Sequence, residues 1–230
     1  FIIMSPGINL KKTIFYKELK YNENKIITDL DLFYLFNPNV KSIILTGTNG
    51  KSTACKMLEH ILKKKLKVKL GGNIGMPILD ISLKRKPVVI IEASSFQLAY
   101  SKFLKPDIAA ILNITNDHLD WHGTFKNYES SKFRVFNNQR KNNLAFLKEE
   151  RHIKIFKKNS FKSKLKKISS LKFLDIKNKI KNEYFKSKIN DNNLHFVYEI
   201  SKTFNIKKKN FIKYIDSFKG LEHRHEIFYK

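Results

Sequence analysis

The sequence has 230 residues, a formal net charge of +26, and a composition that is 42% hydrophobic and 13% aromatic. That composition is typical of a globular protein and excludes a disordered chain. Cys55 is the single cysteine, which excludes an intrachain disulfide and favours a cytoplasmic protein. Because no apolar run is long enough to cross a membrane, we expect no stable membrane insertion.

The positive charge comes almost entirely from lysine, which is accompanied by abundant asparagine, isoleucine and phenylalanine. This combination indicates a compositional bias of the whole chain, so we interpret the lysines as solvated faces and expect no nucleic-acid partner. The competing hypothesis from another class is a non-catalytic basic fragment that binds nucleic acid. That hypothesis predicts arginine-rich or aromatic-interleaved patches, whereas the lysines here are scattered.

Predicted strands and helices alternate along the chain. Compact apolar runs predict buried strands at residues 41–46, 87–92 and 107–114. Helical spacing of apolar residues predicts helices at residues 51–66, 125–138 and 191–204. Residues 148–190 show no clear spacing of apolar residues, and we interpret them as weak strands and loops. The alternation predicts an α/β fold with a P-loop-type, mostly parallel sheet flanked by helices, in which ligands lie beyond the carboxyl ends of the strands.

A loop with the sequence Thr-Gly-Thr-Asn-Gly-Lys-Ser-Thr, at residues 46–53, follows the first buried strand and opens a helix. Gly47 and Gly50 let backbone N–H groups turn toward a phosphate, and the helix start adds its positive dipole. Lys51 would reach the β- and γ-phosphates, and the hydroxyl of Ser52 would hold Mg²⁺. The loop is shorter than the full P-loop pattern, and the alternative is an ordinary glycine turn with a hydroxyl helix cap. The predicted ATP-binding residues of this loop are Gly47, Thr48, Asn49, Gly50, Lys51, Ser52 and Thr53.

Polar clusters also follow the other two predicted strands. Glu92 ends the second strand, where a carboxylate can bind a metal ion beside the phosphates, and the alternative is a solvated strand-end glutamate. The loop at residues 113–123, after the third strand, contains His118, Asp120 and His122. Zinc is disfavoured because no cysteine and no second histidine pair stands at standard spacing. We expect one histidine to bind Mg²⁺ or substrate, whereas for Asp120 and His122 we expect hydrogen bonding within the loop.

A lysine lies on the apolar face of the predicted helix at 125–138. Phe125, Tyr128, Lys132 and Val135 fall on one helical stripe. A lysine held in a low dielectric has a lowered pKa and a nucleophilic neutral amine, which can react with CO₂ to form a metal-binding carbamate. The alternative is that Lys132 extends its ammonium group to solvent along the apolar face.

These motifs, in this order, resemble the Mur ligase family. The loop at 46–53 looks like the phosphate loop of that family. Residues 117–120 (Asp-His-Leu-Asp) and 128–132 (Tyr-Glu-Ser-Ser-Lys) are similar to family motifs further along the chain. Residues 71–75 (Gly-Gly-Asn-Ile-Gly) and 92–98 (Glu-Ala-Ser-Ser-Phe-Gln-Leu) look most like the branch that adds D-glutamate.

The resemblance implies catalytic roles for four residues. Lys51 would contact ATP, and Glu92 would lie beside the metal and the γ-phosphate. His118 would bind a second Mg²⁺, and Lys132 matches the family's carbamylated lysine. Two Mg²⁺ ions are therefore implied, with ligands from Ser52, Glu92, His118 and carbamylated Lys132.

The resemblance also implies contacts to the substrates. The implied substrate-binding residues are Asn73, Ser94 and His118. The implied nucleotide contacts outside the phosphate loop are Asn190, Asn193 and Arg224. Asn190 and Asn193 match an Asn-x-x-Asn motif near the adenine, although Ile189 stands where the family usually has histidine.

The implied activity is an ATP-dependent acid–D-amino-acid ligase of peptidoglycan precursor synthesis. It would add D-glutamate to UDP-N-acetylmuramoyl-L-alanine through an acyl phosphate, with Lys51 and Mg²⁺ neutralising the transferred phosphoryl group. We expect a monomer. Another Mur ligase, or a ligase of the folylpolyglutamate synthetase type, is the alternative within the superfamily, and the sequence at 92–98 argues against it.

The resemblance further divides the chain into three parts. Residues 1–36 would be the tail of an amino-terminal UDP-binding domain with its linker, residues 37–219 a central ATP-binding domain, and residues 220–230 a hinge into a third domain. The chain opens inside an apolar run, so we expect the natural protein to begin upstream. Because the family places the uridine-diphosphate and D-glutamate sites mainly in the flanking domains, we expect the 230-residue chain alone not to form the amide.

Overall fold

The computed structural model describes residues 1–169 and 173–221 of the chain. Its strands are β1 Ile2–Ile3, β2 Ile26–Ile27, β3 Ser42–Thr46, β4 Val68–Gly72, β5 Val88–Glu92, β6 Ile108–Ile111, β7 Leu144–Leu147 and β8 Lys164–Lys167. Its helices are α1 Tyr16–Tyr21, α2 Asp29–Phe36, α3 Lys51–Leu62, α4 Ser95–Tyr100, α5 Leu119–His122, α6 Phe125–Phe133, α7 Glu150–Lys158, α8 Leu174–Lys177, α9 Asp191–Lys202 and α10 Lys208–Ile215. Within these ranges no helix is both long enough and apolar enough to cross a membrane.

The central sheet has six parallel strands in the order β4-β5-β3-β6-β7-β8. Strand β3 therefore lies between β5 and β6, with Ile44 aligned to Ile91 on one side and to Ala109 on the other. The chain leaves β3 toward one edge of the sheet and later crosses to the other, which creates a crevice at the carboxyl end of β3. The predicted α/β fold with a parallel sheet flanked by helices is confirmed.

The sheet separates two apolar cores, and the alternation of side chains along β3 shows how. Ile43 and Leu45 face the core formed with α3, α9 and α10, whereas Ile44 faces the core formed with α2, α6 and α7. Both faces of the sheet are covered by helices, so the strand has no polar face. This double burial explains why the central strands are continuous apolar runs in the sequence.

The lysine-rich region at 148–190 contains more structure than the sequence indicated. The interpretation as weak strands and loops was wrong for α7, which buries His152, Ile153 and Phe156 against the sheet. Lysines occupy much of the rest of this helix, and they made the helical spacing of its apolar residues difficult to recognise in the sequence. The region also supplies β8, an edge strand that leaves Lys164, Lys166 and Lys167 exposed.

The first 36 residues also contact the sheet. Strand β1 pairs in parallel with β2 in a separate two-stranded sheet. Helix α2 contributes Leu30, Phe33 and Tyr34 to the core that contains Ile44. The boundary at residue 36 stays a prediction. Arg224 and the other residues of the predicted hinge beyond 221 lie outside the described residues.

The buried His195 gives the fold a specific dependence on pH. It lies on α9, 2% exposed and stacked on Phe173 at 4.4 Å. Burial lowers the pKa of His195 to about 4, and Lys148 and Lys202 act in the same direction. The folded protein therefore binds fewer protons than the unfolded chain between about pH 4 and 6.5, so stability is fully present above 6.5 and falls as the pH decreases toward 4.

We predict that His195→Phe loses part of this pH dependence. Urea unfolding at about pH 7 and about pH 4.5 should show a drop in the free energy of unfolding that is smaller in the variant, by on the order of 1–2 kcal/mol. The wild type is the reference, because carboxylate titration affects both proteins equally. Equal drops in the two proteins would contradict the assigned pKa.

Candidate functional site

Three polar loops meet at the carboxyl edge of the central sheet. They follow β3, β5 and β6, which are adjacent and parallel. The loop after β3 is the phosphate loop at 46–53, the second begins at Glu92, and the third runs from Asn113 to His118. The structure therefore brings together the three clusters that the sequence placed at strand ends.

The phosphate loop turns sharply into α3 at Gly50. This residue has φ +81° and precedes the first residue of the helix, Lys51. A Cβ at Gly50 would lie 2.3 Å from Oδ1 of Asn193, on α9, so the close approach of α9 also requires glycine. Ser52 and Thr53 are buried in the first turn of α3, where backbone N–H groups without helical partners favour an anion.

Two lysine ammonium groups converge on the carbonyl of Gly47. Nζ of Lys51 donates to Gly47 O at 2.9 Å and to Thr48 O at 2.7 Å. Nζ of Lys132, from α6, donates to the same Gly47 O at 2.9 Å. Two lysine side chains are thus held against the phosphate loop at one backbone oxygen.

Lys132 is buried, with only 1% of its surface exposed, and it is the only buried lysine among residues 1–169 and 173–221. Its ammonium lies over the ring of Tyr128, 4.5 Å from the centroid. Burial, together with the smaller effect of the Lys51 charge, lowers the pKa of Lys132 to about 7, and Asp117 opposes the shift. A substantial fraction of the side chain is therefore a neutral amine at neutral pH.

Glu92 presents one carboxylate oxygen without a partner. The side chain is 2% exposed at the end of β5, and its Oε1 accepts a hydrogen bond from Nδ2 of Asn73 at 3.0 Å. Its Oε2 is buried and accepts no hydrogen bond from the described part of the chain. A buried carboxylate oxygen in this state fits a metal ion, because an unpaired buried acceptor is costly. Asn73 contacts Glu92 also through its backbone N–H, and its predicted contact to substrate stays a prediction.

The two histidines of the third loop lie in different environments. The side chain of His118 is 45% exposed, and its Nε2 lies 3.4 Å from Oδ2 of Asp117. His122 is buried and its Nε2 lies 3.1 Å from Oγ of Ser95, so its hydrogen bond goes to α4 and not, as expected, to a partner within the loop. Burial lowers the pKa of His122 to about 4. His118 is therefore the histidine of this loop that is open to a ligand.

The remaining predicted residues lie around the edge of this site. The hydroxyl of Ser94 accepts a hydrogen bond from Gln97 N and caps α4, so its predicted substrate contact needs a second hydrogen bond. Asn190 and Asn193 are buried at the start of α9, and Nδ2 of Asn190 has no hydrogen-bond partner in the described part of the chain. Their predicted adenine contacts stay predictions.

Two residues with clear contacts to the phosphate loop were not assigned a role from the sequence. The hydroxyl of Tyr128 lies 2.9 Å from Oγ1 of Thr48, which links α6 to the loop. Asn113 pairs with Asn49 through its side chain. Tyr128 was visible only as a member of the apolar stripe with Lys132, and Asn113 only as a polar residue after a strand.

The contact between Gly50 and Asn193 yields a prediction about stability. Gly123 is a matched control, because it has a similar φ of +77° but a Cβ added there would meet no atom within 4 Å. We expect Gly123→Ala to lower the free energy of unfolding by about 1 kcal/mol through backbone strain alone. Gly50→Ala should cost at least about 1 kcal/mol more, because it displaces the buried side chain of Asn193.

Denaturant unfolding measures both losses. Adding Asn193→Ala to Gly50→Ala should remove most of the difference between the two glycine variants, since the clashing side chain is then absent. Equal losses for Gly50→Ala and Gly123→Ala would show that α9 does not restrict residue 50.

Comparison with known proteins agrees with this geometry. Residues 45–213 match the family model described as the Mur ligase middle domain. UDP-N-acetylmuramoylalanine--D-glutamate ligase from Pseudothermotoga lettingae is 30% identical over 236 residues, covering 98% of this chain and 53% of the relative. The ligase of the same name from Aquifex aeolicus is 31% identical over 244 residues, covering 98% of this chain and 56% of the relative. That from Wolbachia pipientis wMel is 41% identical over 138 residues, covering 59% and 27%.

Solved structures share the fold at lower identity. The UDP-N-acetylmuramate:L-alanyl-gamma-D-glutamyl-meso-diaminopimelate ligase from Neisseria meningitides superposes with a TM-score of 0.68 at 13% identity, covering 96% of this chain and 79% of that one. The UDP-N-acetylmuramoylalanyl-D-glutamyl-2,6-diaminopimelate--D-alanyl-D-alanyl ligase from Acinetobacter baumannii has a TM-score of 0.65 at 16% identity, covering 87% and 51%. The chain spans about half or less of the length of these curated D-glutamate ligases. Its middle-domain match covers most of its own length, and the chain belongs to the Mur ligase family.

Proposed function

We propose that the protein is an ATP-dependent ligase that joins D-glutamate to UDP-N-acetylmuramoyl-L-alanine in the cytoplasm. The observation that carries the ligase chemistry is the convergence of Lys51, Lys132 and the unpaired Oε2 of Glu92 at one sheet edge. The choice of D-glutamate is supported by 30–41% identity to relatives that carry that activity in their names. We propose that it acts as a monomer on small molecules, without a nucleic-acid partner.

The phosphate loop provides the ATP site in this proposal. The backbone N–H groups at the start of α3 would surround the β-phosphate, and Lys51 would move from the loop carbonyls to the β- and γ-phosphates. Asn190 and Asn193 at the start of α9 would contact the adenine, since α9 approaches the loop at Gly50. The unpaired Nδ2 of Asn190 is a donor available for a ring nitrogen.

In this proposal two Mg²⁺ ions bind at the site, and the unpaired Oε2 of Glu92 is the observation that supports a metal ion there. Glu92 Oε2 and the hydroxyl of Ser52 would hold one ion, and His118 with a carbamate on Lys132 would hold the other. Mg²⁺ supplies charge neutralisation for phosphoryl transfer between two anionic groups. Asn73 would hold Oε1 of Glu92 while Oε2 binds the metal, since the amide already donates to Oε1.

A carbamate on Lys132 resolves an electrostatic conflict in the site. The side chains of Lys51 and Lys132 donate to one carbonyl, and burial together with the charge of Lys51 lowers the pKa of Lys132. The neutral amine attacks CO₂, a C–N bond forms, and one proton is released, leaving a carbamate anion. The product reverses the charge at Nζ, so repulsion from Lys51 becomes attraction and a metal ligand is created.

The reaction proceeds in two steps. An oxygen of the terminal alanyl carboxylate attacks the γ-phosphorus of ATP, the bond to the β-phosphate oxygen breaks, and ADP leaves. The neutral amine of D-glutamate then attacks the carbonyl carbon of the acyl phosphate, inorganic phosphate leaves, and the amine loses a proton as the amide forms. Lys51 stabilises the charge on the transferred group throughout the first step.

A ligation assay tests the proposed function. The protein expressed from its native gene should incorporate radiolabelled D-glutamate into UDP-N-acetylmuramoyl-L-alanine in the presence of ATP and Mg²⁺, and should not incorporate L-glutamate. Glu92→Gln keeps the shape of the side chain but removes the charge beside the metals. We expect turnover to fall by about 100-fold or more with an unchanged circular dichroism spectrum.

The outcomes separate this proposal from its rivals. Amide formation with a different amino acid, or on a longer muramoyl peptide, would identify another ligase of the family. Full turnover by Glu92→Gln would refute the metal site. Loss of the folded spectrum in that variant would assign Glu92 a structural role.

The carbamate is testable without ligase activity. Protein equilibrated with ¹³C-bicarbonate at about pH 7.5 should show a carbamate carbon resonance that disappears on acidification. Lys132→Met should lack the resonance, because its thioether fills similar space without an amine. Lys51→Met is the matched control and should retain the resonance at reduced intensity, because the amine is still present but the attraction from Lys51 is lost. A spectrum unaffected by Lys132→Met would contradict the proposal.

A further inference from the structure

Asn113 makes three hydrogen bonds to the phosphate loop, and the proposed reaction assigns it no part. It stands just after β6, at the start of the third polar loop. Its backbone carbonyl accepts from Thr48 N at 3.0 Å. Its side chain Oδ1 accepts from Asn49 N at 2.9 Å, and its Nδ2 donates to Asn49 O at 3.0 Å.

The side-chain amide of Asn113 therefore satisfies both backbone polar groups of Asn49. Two opposed hydrogen bonds fix the position and the orientation of that residue's backbone, as pairing with a neighbouring strand would. The approach is close, because a Cβ at Gly47 would lie 3.2 Å from both Asn113 O and Leu112 Cβ. The loop thus rests directly on the end of β6.

The end of β6 is itself fixed from the other side. Nδ2 of Asn192, on α9, donates to Leu112 O at 2.9 Å, and Oδ1 of Asn192 accepts from Nζ of Lys148 at 3.1 Å. Asn113 is consequently attached to a rigid support between the sheet and α9. A side chain with such support can hold a loop in one conformation before any ligand binds.

We propose that Asn113 is a positioning residue that fixes the backbone of Asn49 and thereby presents the N–H groups at the start of α3 to the β-phosphate of a bound nucleotide. This inference rests on the nucleotide site of the proposed function. A loop shorter than the full P-loop pattern has fewer residues to stabilise its own turn, and the carboxamide of Asn113 supplies the missing contacts. We expect the contribution to fall on the phosphates, because the three hydrogen bonds of Asn113 go to the backbone of Thr48 and Asn49 in the phosphate loop.

Comparing ADP with AMP isolates that contribution, because AMP lacks the β-phosphate. Dissociation constants for ADP with Mg²⁺ and for AMP are measured by NMR titration of the 230-residue chain. Asn113→Ala should weaken ADP binding by about 10-fold and change AMP binding by less than about twofold. Asn159→Ala is the matched control, since that side chain donates to Ile155 O at the exposed end of α7. It should leave both constants unchanged.

Measurements on the wild type and on Lys51→Ala distinguish an error in the role of Asn113 from an error in the proposed nucleotide site. A wild-type chain that binds ADP no more tightly than AMP refutes the site itself. If Lys51→Ala loses the preference for ADP while Asn113→Ala keeps it, only the role of Asn113 is refuted. Equal weakening of ADP and AMP by Asn113→Ala also refutes it, because a general structural defect is then the cause. Should the alanine variant not fold, Asn113→Ser, which retains a polar group, is subject to the same comparison and the same criteria.

Discussion

The placement of β3 between two parallel neighbours is the constraint on which the functional site depends. Parallel pairing puts the carboxyl ends of β5, β3 and β6 at one edge, so the segments that follow them have to meet. Strand β3 is apolar on both faces because helices cover both faces, and this double burial fixes its register against Val89–Glu92 and Ile108–Ile111. A slip by one residue would exchange the two cores and move the phosphate loop relative to Glu92.

The carbonyl of Gly47 is the point at which the sheet and its helices position the two lysines of the candidate site. It accepts from a lysine of α3 and from a lysine of α6, so two helices on opposite faces of the sheet are joined at one backbone atom. The ammonium of Lys132 is buried over the ring of Tyr128, and the ammonium of Lys51 donates to the same carbonyl. The same packing that buries Lys132 lowers its pKa, so the fold itself determines how much of this side chain is a neutral amine.

Sequence patterns predicted those features whose residues all lie within one strand, helix or loop. The apolar runs predicted β3, β5 and β6, the helical stripe placed Lys132 among apolar residues, and the glycines of the loop predicted the turn into α3. The same approach missed α7, because lysine-rich composition hid its apolar positions. It also missed the pairing of Asn113 with Asn49 and the contact of Asn193 with Gly50. Each contact joins segments at least 64 residues apart, so it produces no repeating pattern in the local sequence. Such contacts depend on strand order, which the sequence determines only through the completed fold.

The exposed lysines of β8 have a consequence for the behaviour of the protein at high concentration. An edge strand offers unpaired N–H and C=O groups to a strand of another molecule, which is a common route to aggregation. Lys164, Lys166 and Lys167 place positive charge along that edge, so two copies that approach edge to edge repel each other. This repulsion is screened over about 8 Å at physiological ionic strength and over about 3 Å at 1 M salt. The colloidal stability of the protein is therefore tied to ionic strength, and lysine acetylation at this edge would weaken the same barrier.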